Sequence, residues 1–162
     1  MPMAPLYERF RELAFRETRS VIVPCAGIVP AGEYGFLEFY CNEPNCDCRR
    51  VLLQVIRSHT GTRVWASINF GWETVGFYER WFHGDADLAR EMAGATLDPL
   101  NPQSVHSEGL LRLFREVVLK DAAYVERLRR HYLLFKGAAA GGPRTRRSRA
   151  ATRRRDPRDR HK

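Results

Sequence analysis

Along the chain the apolar positions change period twice. In PLYERFRELAFRET, Leu6, Phe10, Leu13 and Ala14 fall at i, i+4, i+7 and i+8, and Pro5 suits a first turn, which predicts a short amphipathic helix. Four strand-like runs follow, at residues 20–25, 33–41, 50–57 and 63–72. The separators GIVPAG, NEPNCDC and SHTGT are turn-rich, so consecutive strands are expected to pair as an antiparallel meander. In the fourth run Val64, Ala66, Ile68, Phe70 and Trp72 alternate with more polar neighbours, giving that strand one buried face.

After Trp72 the period lengthens. TVGFYERWF reads as helical, and DADLAREMAG reads as a helix capped by Asp85 and ended by Gly94. Between Ser107 and Phe135, Leu110, Phe114, Val117, Val118, Val125, Leu128 and Tyr132 keep an apolar stripe, with Asp121 capping a second helix and Gly137 stopping it. Strands first and helices after predict an α+β fold: a small antiparallel meander with an N-terminal helix and C-terminal helices.

Composition locates the charge. The 162 residues carry a net charge of +8, and residues 137–162 hold nine arginines and Lys162 against Asp156 and Asp159. Residues 1–136, with seventeen basic and seventeen acidic side chains, are neutral as a body and read as one globular domain. The tail lacks Leu, Ile, Val, Phe, Tyr and Trp, so it is expected to be disordered. Its Arg144, Arg146, Arg147, Arg149, Arg153, Arg154 and Arg155 are candidates for contacting nucleic-acid phosphates without sequence preference. Solubility or an arginine-rich coding bias would give the same composition, since the chain has 24 arginines and 3 lysines. There is no apolar run long enough to span a membrane and no apolar stretch in the charged opening MPMAPLYERFRELAFRETRS, which predicts a cytoplasmic protein.

In a reducing compartment, four unevenly spaced cysteines point to metal ligands or thiols, not disulfides. FYCNEPNCDCRRV holds Cys41, Cys46 and Cys48 within eight residues, with Pro44 and Asn45 bending the chain between them. Thiolates at this spacing suit a structural zinc site, with Cys25 as first choice for the fourth ligand and His59, His83 and His106 open as alternatives. Cys25 is awkward, because antiparallel strand one finishes at the opposite end from strand two unless its link is not a tight hairpin. Arg49 and Arg50 stand where they could offset the thiolate charge.

Other motifs are weaker. His106-Ser107-Glu108 spells H-x-E, but zinc deaminases carry P-C-x-x-C downstream, and here the cysteines lie upstream at another spacing. Tyr34 to Phe39 matches the aromatic half of an RNA-recognition strand, without its basic residue or the helix that separates early strands. Cys48 beside Arg49 is a candidate nucleophile with no partner base marked, and His131 reads as an interfacial helix residue. Neither a glycine-rich phosphate loop nor G-x-S-x-G occurs.

The cysteine turn FYCNEPNCDCRRV, with INFGWETVGFYERW, LDPLNPQSVHSEGLLRLF and VLKDAAYVERLRRHYLLFK, resembles a family of small uncharacterised prokaryotic proteins over most of residues 33–136. The resemblance implies that Cys41, Cys46 and Cys48 act as one cluster and brings no activity with it. The expectation is a zinc-stapled α+β domain serving as a non-enzymatic binding module for nucleic acid or a protein. A metal-dependent hydrolase or thiol enzyme is the alternative.

Overall fold

The computed structural model describes residues 2–140 and is an α+β domain. Its strands are β1 (Met3–Pro5), β2 (Arg19–Val23), β3 (Gly32–Cys41), β4 (Arg50–Arg57), β5 (Val64–Gly71) and β6 (Gly94–Leu97). Its helices are α1 (Leu6–Arg9), α2 (Arg11–Glu17), α3 (Val75–Trp81), α4 (Ala86–Met92), α5 (Ser107–Glu116) and α6 (Ala122–Ala140), with a 3-10 turn at Val118–Lys120.

The antiparallel sheet runs β1-β3-β4-β5-β6, and β2 shares the outer edge of β3 with β1. β1 lies against Phe39 to Cys41 and β2 against Gly32 to Phe36, so the N-terminal helices bridge two pieces of one edge. The expected meander is present in β2 through β5, all paired antiparallel. Two short strands were not foreseen. β1 is three residues long, and β6 begins where Gly94 (φ +80) turns the chain after α4 has ended at Met92. Close approach of α4 to the sheet depends on Gly71, where a Cβ would sit 2.1 Å from the Met92 carbonyl oxygen.

The strand period sets the layers. Tyr34, Phe36, Glu38 and Tyr40 share one face of β3 with Leu53 and Val55 of β4 and Ala66 and Ile68 of β5, and all are buried. α5 and α6 close over this face: the Phe114 ring is 5.6 Å from Phe36, and Phe135 is 5.7 Å from Tyr40. Two aromatics of the partial RNA-recognition match, Tyr34 and Phe36, are thus fully enclosed core, while Phe39 lies half-buried on the other face against Tyr7. On the other face Ser67 and Asn69 hold the loop after β6 through Pro102, Gln103 and Asp98.

The expected helix starts follow local chemistry. Asp85 accepts from the Leu88 N–H at 3.0 Å, and Asp121 from the Ala123 and Tyr124 N–H groups at 3.1 and 3.3 Å. The N-terminal helix is broken at Phe10 (φ −132, ψ 61), and α6 runs through Gly137 to Ala140 instead of stopping there. The tail arginines from Arg144 to Arg155 lie outside the described residues.

Two part-buried carboxylates make the fold acid-sensitive. Burial pushes the Asp98 carboxyl up, but hydrogen bonds from Asn101, Asn69 and the Leu100 N–H, with the charge of Arg50, outweigh it and hold the group below its ordinary range. Burial opposes ionisation of Glu17 likewise, and is outweighed by the His131 hydrogen bond and the charges of Arg130, His131 and Arg127. Depressed groups contribute stability above their unfolded values, near about 4, and lose it as pH falls through their lower folded values. The urea midpoint is therefore expected to hold near pH 5 and to fall below about pH 4. A midpoint that rose on acidification would contradict this account.

Candidate metal centre

The turn from β3 to β4, residues 42–49, carries the cysteine cluster. Cys41 ends β3, Cys48 lies two residues before β4, and the bend at Pro44 and Asn45 returns Cys46 toward both. The three sulfurs lie within 4.8 Å of one another. Zn–S bonds of about 2.3 Å at tetrahedral angles would put sulfurs about 3.8 Å apart, so small side-chain adjustments would close the group on an ion. Cys41 and Cys48 are fully buried, and Cys46 is half-buried.

Side chains from distant elements pin the turn. The Asn42 N–H donates to Pro2 O at 2.9 Å, and Arg9 of α1 donates to the Asn42 side chain. Lys136 Nζ of α6 donates to Glu43 O at 2.6 Å, Tyr132 Oη to Asp47 Oδ1 at 3.1 Å, and Tyr78 Oη of α3 to Arg49 O at 2.8 Å. Arg49 itself adopts φ +44, an uncommon conformation for a residue with a Cβ. Ties from Pro2, α1, α3 and α6 thus hold the turn in which the three sulfurs converge.

The electrostatics fit a metal centre better than a nucleophile. Burial, then the neighbouring sulfurs Cys46 and Cys41, push the Cys48 thiol up to about 12, and burial with the Cys41 contact also raises Cys46. A nucleophilic cysteine needs the opposite shift and exposure. The Arg49 guanidinium, expected to activate or balance the thiols, instead pairs with Asp47 at 3.0 Å and Glu73 at 3.3 Å and stacks over Phe77. Arg50 turns away to Asn69 and Met92. The cation that acts on Cys46 and Cys48 is Lys136, which favours their ionised forms. No sequence signal marked it, since its place depends on how α6 crosses the turn.

Cys25 is not part of the cluster. Val23 pairs with Gly32 at the start of β3, so the exposed Cys25 lies beyond that end. Cys41 is nine residues further along β3, about 30 Å away at roughly 3.3 Å per residue. The antiparallel objection to Cys25 thus decides the matter: the link from β2 to β3 does not carry it back across the sheet. Among the described residues no His, Asp or Glu joins the three sulfurs, so His59, His83 and His106 also stand outside the group. His106 stacks on Trp65 with ring centroids 5.3 Å apart.

Tyr132 can be tested directly. Tyr132→Phe removes one tie to Asp47 while keeping the ring packed against Tyr40 and Trp72, so the fold is expected to persist while metal affinity falls roughly tenfold. Competition with a chromogenic chelator would measure it, and an unchanged affinity would show that this hydrogen bond does not position the sulfurs. Among the described residues no helix is long and apolar enough to cross a membrane. Set against known family models, curated proteins and solved structures, the chain matches none.

Proposed function

We propose that the chain is a zinc-binding domain acting as a non-enzymatic binding module, with the Cys41, Cys46 and Cys48 thiolates as a structural staple joining β3 to β4. The observation that carries this reading is the convergence of three sulfurs within 4.8 Å in a turn tied down by residues of α1, α3 and α6. Zinc is the ion of choice because thiolates and a compact tetrahedral turn suit it.

The surroundings favour binding over catalysis. Of the two carboxylates in the turn, Asp47 is taken up by Arg49 and Tyr132, and Cys48 is a fully buried thiol. One observation does favour a hydrolase with an incompletely ligated metal, namely that only three ligands converge among the described residues. Such an enzyme also needs a base for the metal-bound water; Asp47 is committed elsewhere, which leaves Glu43, in the cleft wall beside Cys46, as the carboxylate of the turn that the hydrolase reading would have to use.

As partner we assign nucleic acid, bound through Arg144, Arg146, Arg147, Arg149, Arg153, Arg154 and Arg155 in a cytoplasmic protein. Elemental analysis and thiol titration before and after chelation test the staple. One zinc per chain, with three thiols unmasked on its removal, supports it, and metal-free protein with every thiol titratable sinks it. Retention on immobilised DNA across a salt series, with the tail arginines replaced by glutamine, tests the partner. Unchanged retention would remove nucleic acid and leave a protein partner.

A further inference from the structure

A four-coordinate ion on three sulfurs has one position left, and an open cleft lies against one of those sulfurs. Cys41 and Cys48 are sealed inside, whereas Cys46 is half-buried and forms part of the wall of an open cleft of about 580 Å3. The rest of that wall is Glu43, Pro44, Asn45, Trp81 and Phe82. Trp81 and Phe82 meet edge to face with centroids 4.6 Å apart, giving the cleft an aromatic side. Lys136, anchored on Glu43 O, places a cation by the sulfurs.

From this we propose that the fourth position of the Cys41, Cys46 and Cys48 centre is exchangeable and is taken by a small external thiol, which enters by the cleft and lays its carbon substituent on Trp81 and Phe82. The inference rests on the metal reading above and names the ligand of that same centre. A thiolate is the class that fits. Its sulfur matches the softness of a three-thiolate ion, the added negative charge falls beside Lys136, and an apolar substituent finds the aromatic wall. In the exchange the bond from the metal to water breaks, a metal–sulfur bond forms, and the thiol proton passes to bulk water. No oxidation state changes.

The test uses the full chain loaded with Co(II), whose visible bands report tetrahedral geometry and whose near-ultraviolet band reports bound thiolates. Titration with 1-propanethiol should shift the visible bands saturably and raise the near-ultraviolet band by roughly one third, as four thiolates replace three. Phe82→Ala should retain the cobalt and raise the half-saturating thiol concentration about fivefold. Cobalt bands that ignore the thiol would mean the fourth position is filled from within the chain and would overturn the inference while leaving the metal site standing. A Phe82→Ala protein with unchanged half-saturation would likewise overturn it, by taking the thiol out of the cleft. Protein that shows no thiolate–cobalt band at all would instead overturn the metal reading.

Discussion

Cys41→Ser is expected to abolish stoichiometric metal binding and lower the melting temperature, whereas Cys25→Ser leaves both unchanged. Cys41 supplies one of three converging sulfurs, and its loss leaves two ligands. Structural zinc binding is worth on the order of 10 kcal/mol, shared over its ligands, so losing a thiolate costs several kcal/mol and takes the affinity below what purification retains. Since ligands must be deprotonated and the Cys46 and Cys48 thiols are raised by burial, affinity for the ion should also weaken as pH falls. The metal bound per chain in each variant, with melting curves recorded with and without chelator, decides the point. A Cys41→Ser protein that keeps its metal would disprove the cluster. A Cys25→Ser protein that loses it would require a route across the sheet that the register of β2 and β3 does not offer.

The contrast between these cysteines shows what the sequence carries. Their spacing alone placed Cys41, Cys46 and Cys48 together, because a turn of eight residues leaves them nowhere else to go. The fourth ligand depended on topology, and the alternation of antiparallel strands already placed Cys25 at the wrong end. Long strands were legible because β3, β4 and β5 run over eight or ten residues and β3 alternates in burial, although β5 buries both faces instead of the one its alternation predicted, Ser67 and Asn69 being covered by the loop after β6. β1 and β6, with three and four residues, are too short to show a period and exist because longer neighbours offer them an edge. Long-range polar partners were the least legible. Lys136 at the turn and Arg9 at Asn42 make contacts between residues 93 and 33 positions apart, and no local pattern announces such pairs.

His131 is the largest instance of that blindness, and replacing it is expected to cost more stability than any other change away from the cysteines. On the sequence it is a polar residue in an amphipathic helix. In the fold it is fully buried, with Nδ1 2.7 Å from Glu38 Oε2 and Nε2 3.2 Å from Glu17 Oε2. Tyr40 Oη also donates to Glu38 Oε2, at 2.8 Å, so α2, β3 and α6 meet at one polar knot inside an apolar layer. A neutral imidazole carries a single N–H, and both contacts are satisfied only with a proton between each nitrogen and its carboxylate. His131→Leu removes these partners and leaves Glu38, 5% exposed, with Tyr40 as its remaining donor. Removing one partner of a buried hydrogen-bonded carboxyl costs about 1–3 kcal/mol, and more where the orphaned group is charged. Replacing both sides with apolar groups removes that orphan, so His131→Leu combined with Glu38→Leu should recover much of the loss. Glu17 is part-exposed and keeps Arg130, so it needs no third change. Urea unfolding of the two variants measures both steps. A single variant within about 1 kcal/mol of the parent would mean that the knot contributes little, and a double variant no more stable than the single would mean that the lost stability lies in packing rather than in the stranded carboxylate.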